Sequence, residues 1–300
     1  MGYRRLMIES PVSLSVRNAQ LVVQTAEKTA SFPLEDIDAV LIENPQVRWT
    51  VSTVSALAEN GCAVYLCDAK HMPNCVLLPY MQHSRQLGQL KKQTNASLPR
   101  KKRLWQAIVS QKIRNQSACL ALYGLHSESD HLKHLAETVQ SGDAGNAEGH
   151  AAAFYFSSLF GSGFVRTQDS DGRNAALNYG YAILRGAIAR TLAVYGLIPC
   201  LGIHHKSELN RFNLADDLIE PFRPLVDAYV AGIEIGETLE PECKRGLFDL
   251  LSYEMIFSGK HYDVSYSVDL FVQSFIRCLS DASAVLDVPV FTGLVKHRNE

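Results

Sequence analysis

The sequence predicts an α+β protein, with a small β-rich domain over residues 1–80 followed by a larger all-α domain over residues 81–300. Two observations carry this. Up to about Tyr80 the apolar residues alternate or form short continuous blocks, and beyond it they recur every three or four residues. Turn residues punctuate the first part every ten residues or so, but separate much longer segments in the second.

In order along the chain, VSLSV at 12–16 alternates as a half-buried strand. Arg17-Asn18-Ala19 is a turn and LVVQT at 21–25 a return strand. SFPL at 31–34 is short, and Pro33 makes it an edge strand or a strand end. IDAVLIE at 37–43 is a buried strand ended by Asn44-Pro45. The period then changes, because Val51, Val54, Leu57 and Ala58 share a helix face that stops at Asn60-Gly61. CAVYLCD at 62–68 and NCVLLPY at 74–80 complete the β-rich part. A polar break at 95–99 reads as a loop. Helices are then expected over about 102–122, 130–139, 147–161, 174–195, 214–233, 241–255 and 269–281.

Composition bounds the function. The chain is 47% hydrophobic and 20% charged, as in ordinary globular proteins. No run reaches the ~20 apolar residues of a membrane helix, and MGYRRLMIESPVSLSV lacks the apolar core of a signal peptide. Seven scattered cysteines without a CxxC pair fit a reducing, cytoplasmic setting and argue against a cysteine zinc site. Net charge is −2, but the segment from Arg85 to Arg114 holds nine Lys and Arg residues and no acid. Arg85, Lys91, Lys92, Arg100, Lys101, Lys102, Arg103, Lys112 and Arg114 form either a solvated helix face or a phosphate-binding track.

Three places gather groups that do chemistry. Glu148 opens a helix behind Asn146, a good N-cap, among small residues (Gly149, Ala151, Ala152, Ala153) that leave room beside the carboxylate. Asp217 and Glu220 have the spacing of a capping box, but Pro221 puts Glu220 at a helix break. His204 and His205 sit in an extended stretch, where neighbouring side chains point to opposite sides, so at most one faces a given site. Helix capping accounts for each acid separately. Taken together, two carboxylates and one imidazole suit a divalent cation, Mg²⁺ or Mn²⁺, with open positions for water. No GxxxxGK[ST] loop is present.

Three long stretches resemble one family. NAEGHAAAFYF (146–156) resembles its N-x-E-G-x-A-A-x-x-Y-F pattern, NAALNYGYAIL (174–184) its N-x-x-L-N-Y-G-Y signature, and FNLADDLIEPFRPLVD (212–227) its long carboxylate motif. The opening EDIDAVLIENPQVRWT is similar too. The family is the CRISPR-associated endonuclease/integrase, protein one of that system and catalytic subunit of spacer acquisition, and E-P-F-R-P resembles its type II form. The resemblance implies a β domain that builds a homodimer and a helical domain that holds the metal. It also implies a heterohexameric complex of two such dimers on a dimer of the small protein two. That complex joins the 3′-hydroxyls of a short foreign DNA duplex to the repeat array by transesterification. By the motifs, Glu148, His205 and Glu220 are the metal-binding catalytic residues, His205 being fifteen residues before Glu220. His204 is the runner-up for the histidine, and Asp217 remains as a supporting group or a further ligand. The basic segment becomes a double-stranded DNA track with Trp105 as a stacking partner. A stand-alone branched-DNA repair nuclease and a non-catalytic DNA-binding subunit are the alternatives.

Overall fold

The computed structural model describes residues 2–78, 85–168, 171–236 and 238–297. The expected joint near residue 80 and Arg298 lie outside them. The first part contains β1 (Arg4–Ile8), β2 (Ser13–Arg17), β3 (Gln20–Gln24), β4 (Thr29–Pro33), β5 (Ile37–Ile42), β6 (Arg48–Trp49), α1 (Val51–Glu59), β7 (Ala63–Cys67) and β8 (Pro73–Val76). They form two four-stranded sheets, in the orders β1-β5-β7-β8 and β4-β3-β2-β6. The continuous apolar run of β5 pairs in parallel with β1 and β7, as a strand buried on both faces should. Asn18 and Ala19 both take positive φ between β2 and β3, which matches the twist of a tight hairpin. Apolar alternation does not reveal β1 or β6. β1 opens with Arg4 and Arg5, and β6 is two residues long.

The second part contains α2 (Gln86–Asn95), α3 (Leu98–Leu122), α4 (His126–Glu137), α5 (Ala147–Phe160), α6 (Gly172–Val194), α7 (Asn213–Leu218), α8 (Arg223–Ala231) and α9 (Pro241–Asp249). A short hairpin of β9 (Glu254–Phe257) and β10 (Lys260–Asp263) follows, and then α10 (Val264–Ser280). α3 begins four residues before the expected start, because Ser97 accepts a hydrogen bond from the Arg100 N–H and Pro99 fits the first turn. The expected helix over 214–233 is broken at Glu220–Phe222 into α7 and α8, with Pro221 in the break. The expected helix over 241–255 ends at Asp249. β9 and β10 turn at Ser258-Gly259, both with positive φ, so the helical part is not free of strand.

Sheet β1-β5-β7-β8 has a core on each face. On one side Val40, Val64 and Ile42 pack with Leu14, Leu21 and Leu57. On the other, Ala39, Leu41, Ala63 and Tyr65 join the helical core around α3, α6 and α10. Among the described residues no helix is long and apolar enough to cross a membrane.

Candidate active site

α3 forms the floor of the site, and Lys112, a buried residue of that helix, is its centre. Its Nζ lies 2.6 Å from Glu148 Oε1 and 2.5 Å from Glu220 Oε2. Burial opposes the ammonium charge, but Glu220 and Glu148 outweigh it and raise the Lys112 pKa above the usual lysine value. Glu220 is buried as well. Its Oε1 is ion-paired with Arg223, 3.0 Å from Nε, and neither that Nε nor Oε2 makes a directed hydrogen bond; Oε2 has only the nearby ammonium. Burial pushes this carboxylate up, while Arg223 and Lys112 together bring it below its ordinary value.

Local structure aims each group. The expected cap of α5, Asn146, is in the left-handed region and makes no side-chain cap. Asp143 does that work instead, with Oδ1 accepting from the Ala147 N–H and Oδ2 from the Glu148 N–H. Of the small residues beside Glu148, Ala151 faces the core and Ala153 is exposed. Glu220 owes its direction to the Pro221 break, and Asn115 of α3 fixes that break by donating to the Pro221 carbonyl at 2.7 Å.

Asp217 is not half of a capping box. It is fully buried in α7 and takes the backbone N–H groups of Ile203, His204 and His205 on its two oxygens, which moulds the histidine loop around it. The fit requires Gly202, where a Cβ would stand 2.4 Å from the His205 carbonyl and 2.8 Å from Asp217 Oδ2. His205 Nδ1 donates to Asp217 Oδ1 at 2.8 Å. This hydrogen bond is the main reason its pKa is raised, and the charge of Glu220 adds to it. A proton held on Nδ1 leaves Nε2 as the free lone pair. His204 turns away and stacks on Trp105, ring centroids 4.1 Å apart and planes 6° from parallel. The two histidines do therefore point differently. Trp105 is buried beneath His204, so it is not a surface for a base.

The basic segment divides. Lys91, Lys92, Lys102, Arg103 and Arg114 are exposed, Arg85 is exposed at the start of α2, and Lys101 is half-buried. Arg100 is buried and donates to the Cys278, Asp281, Ala282 and Ala284 carbonyls at the end of α10. Arg100 and Lys112 therefore leave the expected DNA track. Sequence reasoning also misses Arg223, whose guanidinium lies over the Tyr181 ring, and Asp227, which accepts from the Tyr181 hydroxyl. Arg166 covers the same ring and is held by Asn174 and Asn178 of the N-x-x-L-N-Y-G-Y motif. That motif is the signal that could have pointed to them.

Among the described residues no three His, Cys, Asp or Glu groups stand close enough to hold a metal ion as placed. The donor set nonetheless has the chemistry of such a site. Two carboxylate oxygens meet on one cation, and beside them is an imidazole whose far nitrogen is held by a carboxylate.

Residues 6–240 match the family model described as CRISPR associated protein Cas1. The chain is 43% identical over 305 residues to a "CRISPR-associated endonuclease Cas1" of Neisseria meningitidis serogroup C (strain 8013), covering 100% of both. Its fold is similar to that of a casposase bound to integration product (TM-score 0.76, 20% identity, 95% of this chain and 93% of that one). It is also similar to part of a Cas6-RT-Cas1–Cas2 complex (TM-score 0.72, 20% identity, 97% of this chain and 36% of that one). The chain belongs to the Cas1 family of CRISPR-associated proteins.

Proposed function

We propose that this protein is the metal-dependent integrase and endonuclease of CRISPR adaptation, with Glu148, His205 and Glu220 as its metal-binding catalytic residues. The observation that carries the reading is the convergence of Glu148 and Glu220 on a single nitrogen, from elements far apart in the chain. The casposase's integration product and the 43% identical endonuclease support the chemistry. Mg²⁺ or Mn²⁺ fits two carboxylates and one imidazole. When bound, such an ion stabilises the charge that gathers on a phosphodiester and lowers the pKa of an attacking 3′-hydroxyl.

The protein's own residues prepare for this. Asp217 fixes the His205 tautomer. Arg223 and the Pro221 break aim Glu220, and Asp143 anchors the turn that carries Glu148. Arg223 also holds a second positive charge at the site, which favours a phosphate as the group to be bound. Exchange of one phosphodiester for another needs no nucleotide energy, and the reverse of joining cuts branched DNA.

The β-rich lobe, residues 1–80, is read as the dimer-forming part and residues 81–300 as the catalytic part. The Cas1–Cas2 complex supports the small Cas2 protein as partner. The exposed cations of α2 and α3 are the duplex DNA track, giving salt-dependent affinity without sequence choice. The test is strand transfer of a short duplex with free 3′-hydroxyls into a supercoiled repeat plasmid, with Cas2 and Mn²⁺. The expected result is joining that is lost with EDTA and in Glu220→Ala. Undiminished joining by a folded Glu220→Ala protein would sink the site assignment.

A further inference from the structure

Lys112 has the chemistry of a site residue and the position of an ion. Its side chain is 10% exposed and bridges Glu148 Oε1 and Glu220 Oε2 within 2.6 Å of each. A divalent cation on the same oxygens needs the same volume, because metal–oxygen distances are roughly 2.0–2.2 Å. An ammonium and a divalent ion cannot share it, since like charges a few ångströms apart repel strongly where water is scarce. Glu220 offers no easy detour, because its other oxygen is engaged by Arg223. Occupation of this point by a metal must therefore be an exchange.

We infer that Lys112 is the resident counter-ion of the site: its ammonium neutralises Glu148 and Glu220 when no metal is bound, and a divalent cation has to expel it. Metal affinity is then set by competition with the protein's own lysine. The inference rests on the ligand set proposed above. Two purposes follow from the charges. Without Lys112, two carboxylates a few ångströms apart would repel, and one of them is 4% exposed. With it, the metal-free site stays folded and closed to loosely bound cations. The exit lies towards Glu148, the more open partner at 22% exposed. The four-carbon stem lets the ammonium move that way while α3 stays in place.

The experiment uses the full-length protein and Mn²⁺ as probe. Free Mn²⁺ is followed by its electron paramagnetic resonance signal during titration of the wild type and of Lys112→Met. Acetylation of each lysine in the wild type is read by mass spectrometry with EDTA and with saturating Mn²⁺. The expected results are at least tenfold tighter Mn²⁺ binding by Lys112→Met, and a Lys112 that is protected in EDTA but acetylated with Mn²⁺. One equivalent of Mn²⁺ bound with Lys112 still protected overturns the exchange and leaves the ligand set standing. Equal or weaker binding by a folded Lys112→Met does the same. If the wild type binds no Mn²⁺, the ligand set fails and the inference with it. Should Lys112→Met not fold, the labelling of the wild type decides.

Discussion

Asp217 shows what a single residue conceals. Its spacing from Glu220 looks like a cap, yet its carboxylate is the mould of the histidine loop and the partner of His205. Glu148, Glu220 and a choice of two histidines were legible in the sequence. Who holds them was not, because hydrogen bonds to backbone N–H groups leave no residue pattern. Asp217→Asn keeps the shape but loses the charge that fixes the His205 tautomer, so strand transfer should fall roughly 10–100-fold, measured as initial rate at saturating Mn²⁺. A second effect belongs to Asp227. Burial raises its pKa to about 6, against the hydrogen bond from Tyr181. The unfolded chain releases this proton at ~4, so the folded state holds the extra proton in between. The contribution is full below pH ~4 and is lost as pH rises through about 6. Asp227→Asn should remove that fall, worth ~2–3 kcal/mol, from urea midpoints taken between pH 4 and 7.

Among the elements, helix existence was legible and helix function was not. The period of α3 and α6 is plain, and Pro221 announced the break at Glu220. The hairpin β9–β10 was hidden by its shortness and by a neighbouring helix pattern, although Ser258-Gly259 between alternating residues was its signal. The basic run read as one surface because charge counts do not tell which way a helix turns its residues. Arg100 closes the end of α10 through four carbonyls. Arg100→Met should therefore cost ~2–4 kcal/mol of stability in chemical denaturation, with little change in the salt slope of DNA binding. Neutralising Lys102, Arg103 and Arg114 together should do the reverse. Stability stays within ~1 kcal/mol, and the salt slope of duplex affinity drops by about one for each phosphate left without its cation.

At the scale of the molecule, the change of period near residue 80 read as a domain joint, but the core does not stop there. Tyr65 of β7 packs into the helical core and donates to the Ile183 carbonyl, against Gly186. Arg5 of β1 pairs with Asp38 and with Asp263, the N-cap of α10. A sheet with apolar side chains on both faces needs covers on both, and periodicity alone cannot say that the second cover comes from helices far along the chain. The protein should therefore unfold in one calorimetric transition, and a fragment of residues 85–300 should not fold alone.

Glu148, His205 and Glu220 are proposed to bind one catalytic cation. Anomalous X-ray scattering from crystals soaked in Mn²⁺ tests it most directly. A single strong peak bonded to Glu148, His205 Nε2 and Glu220 is expected. A peak held by other residues, with these three side chains unmoved, would contradict it.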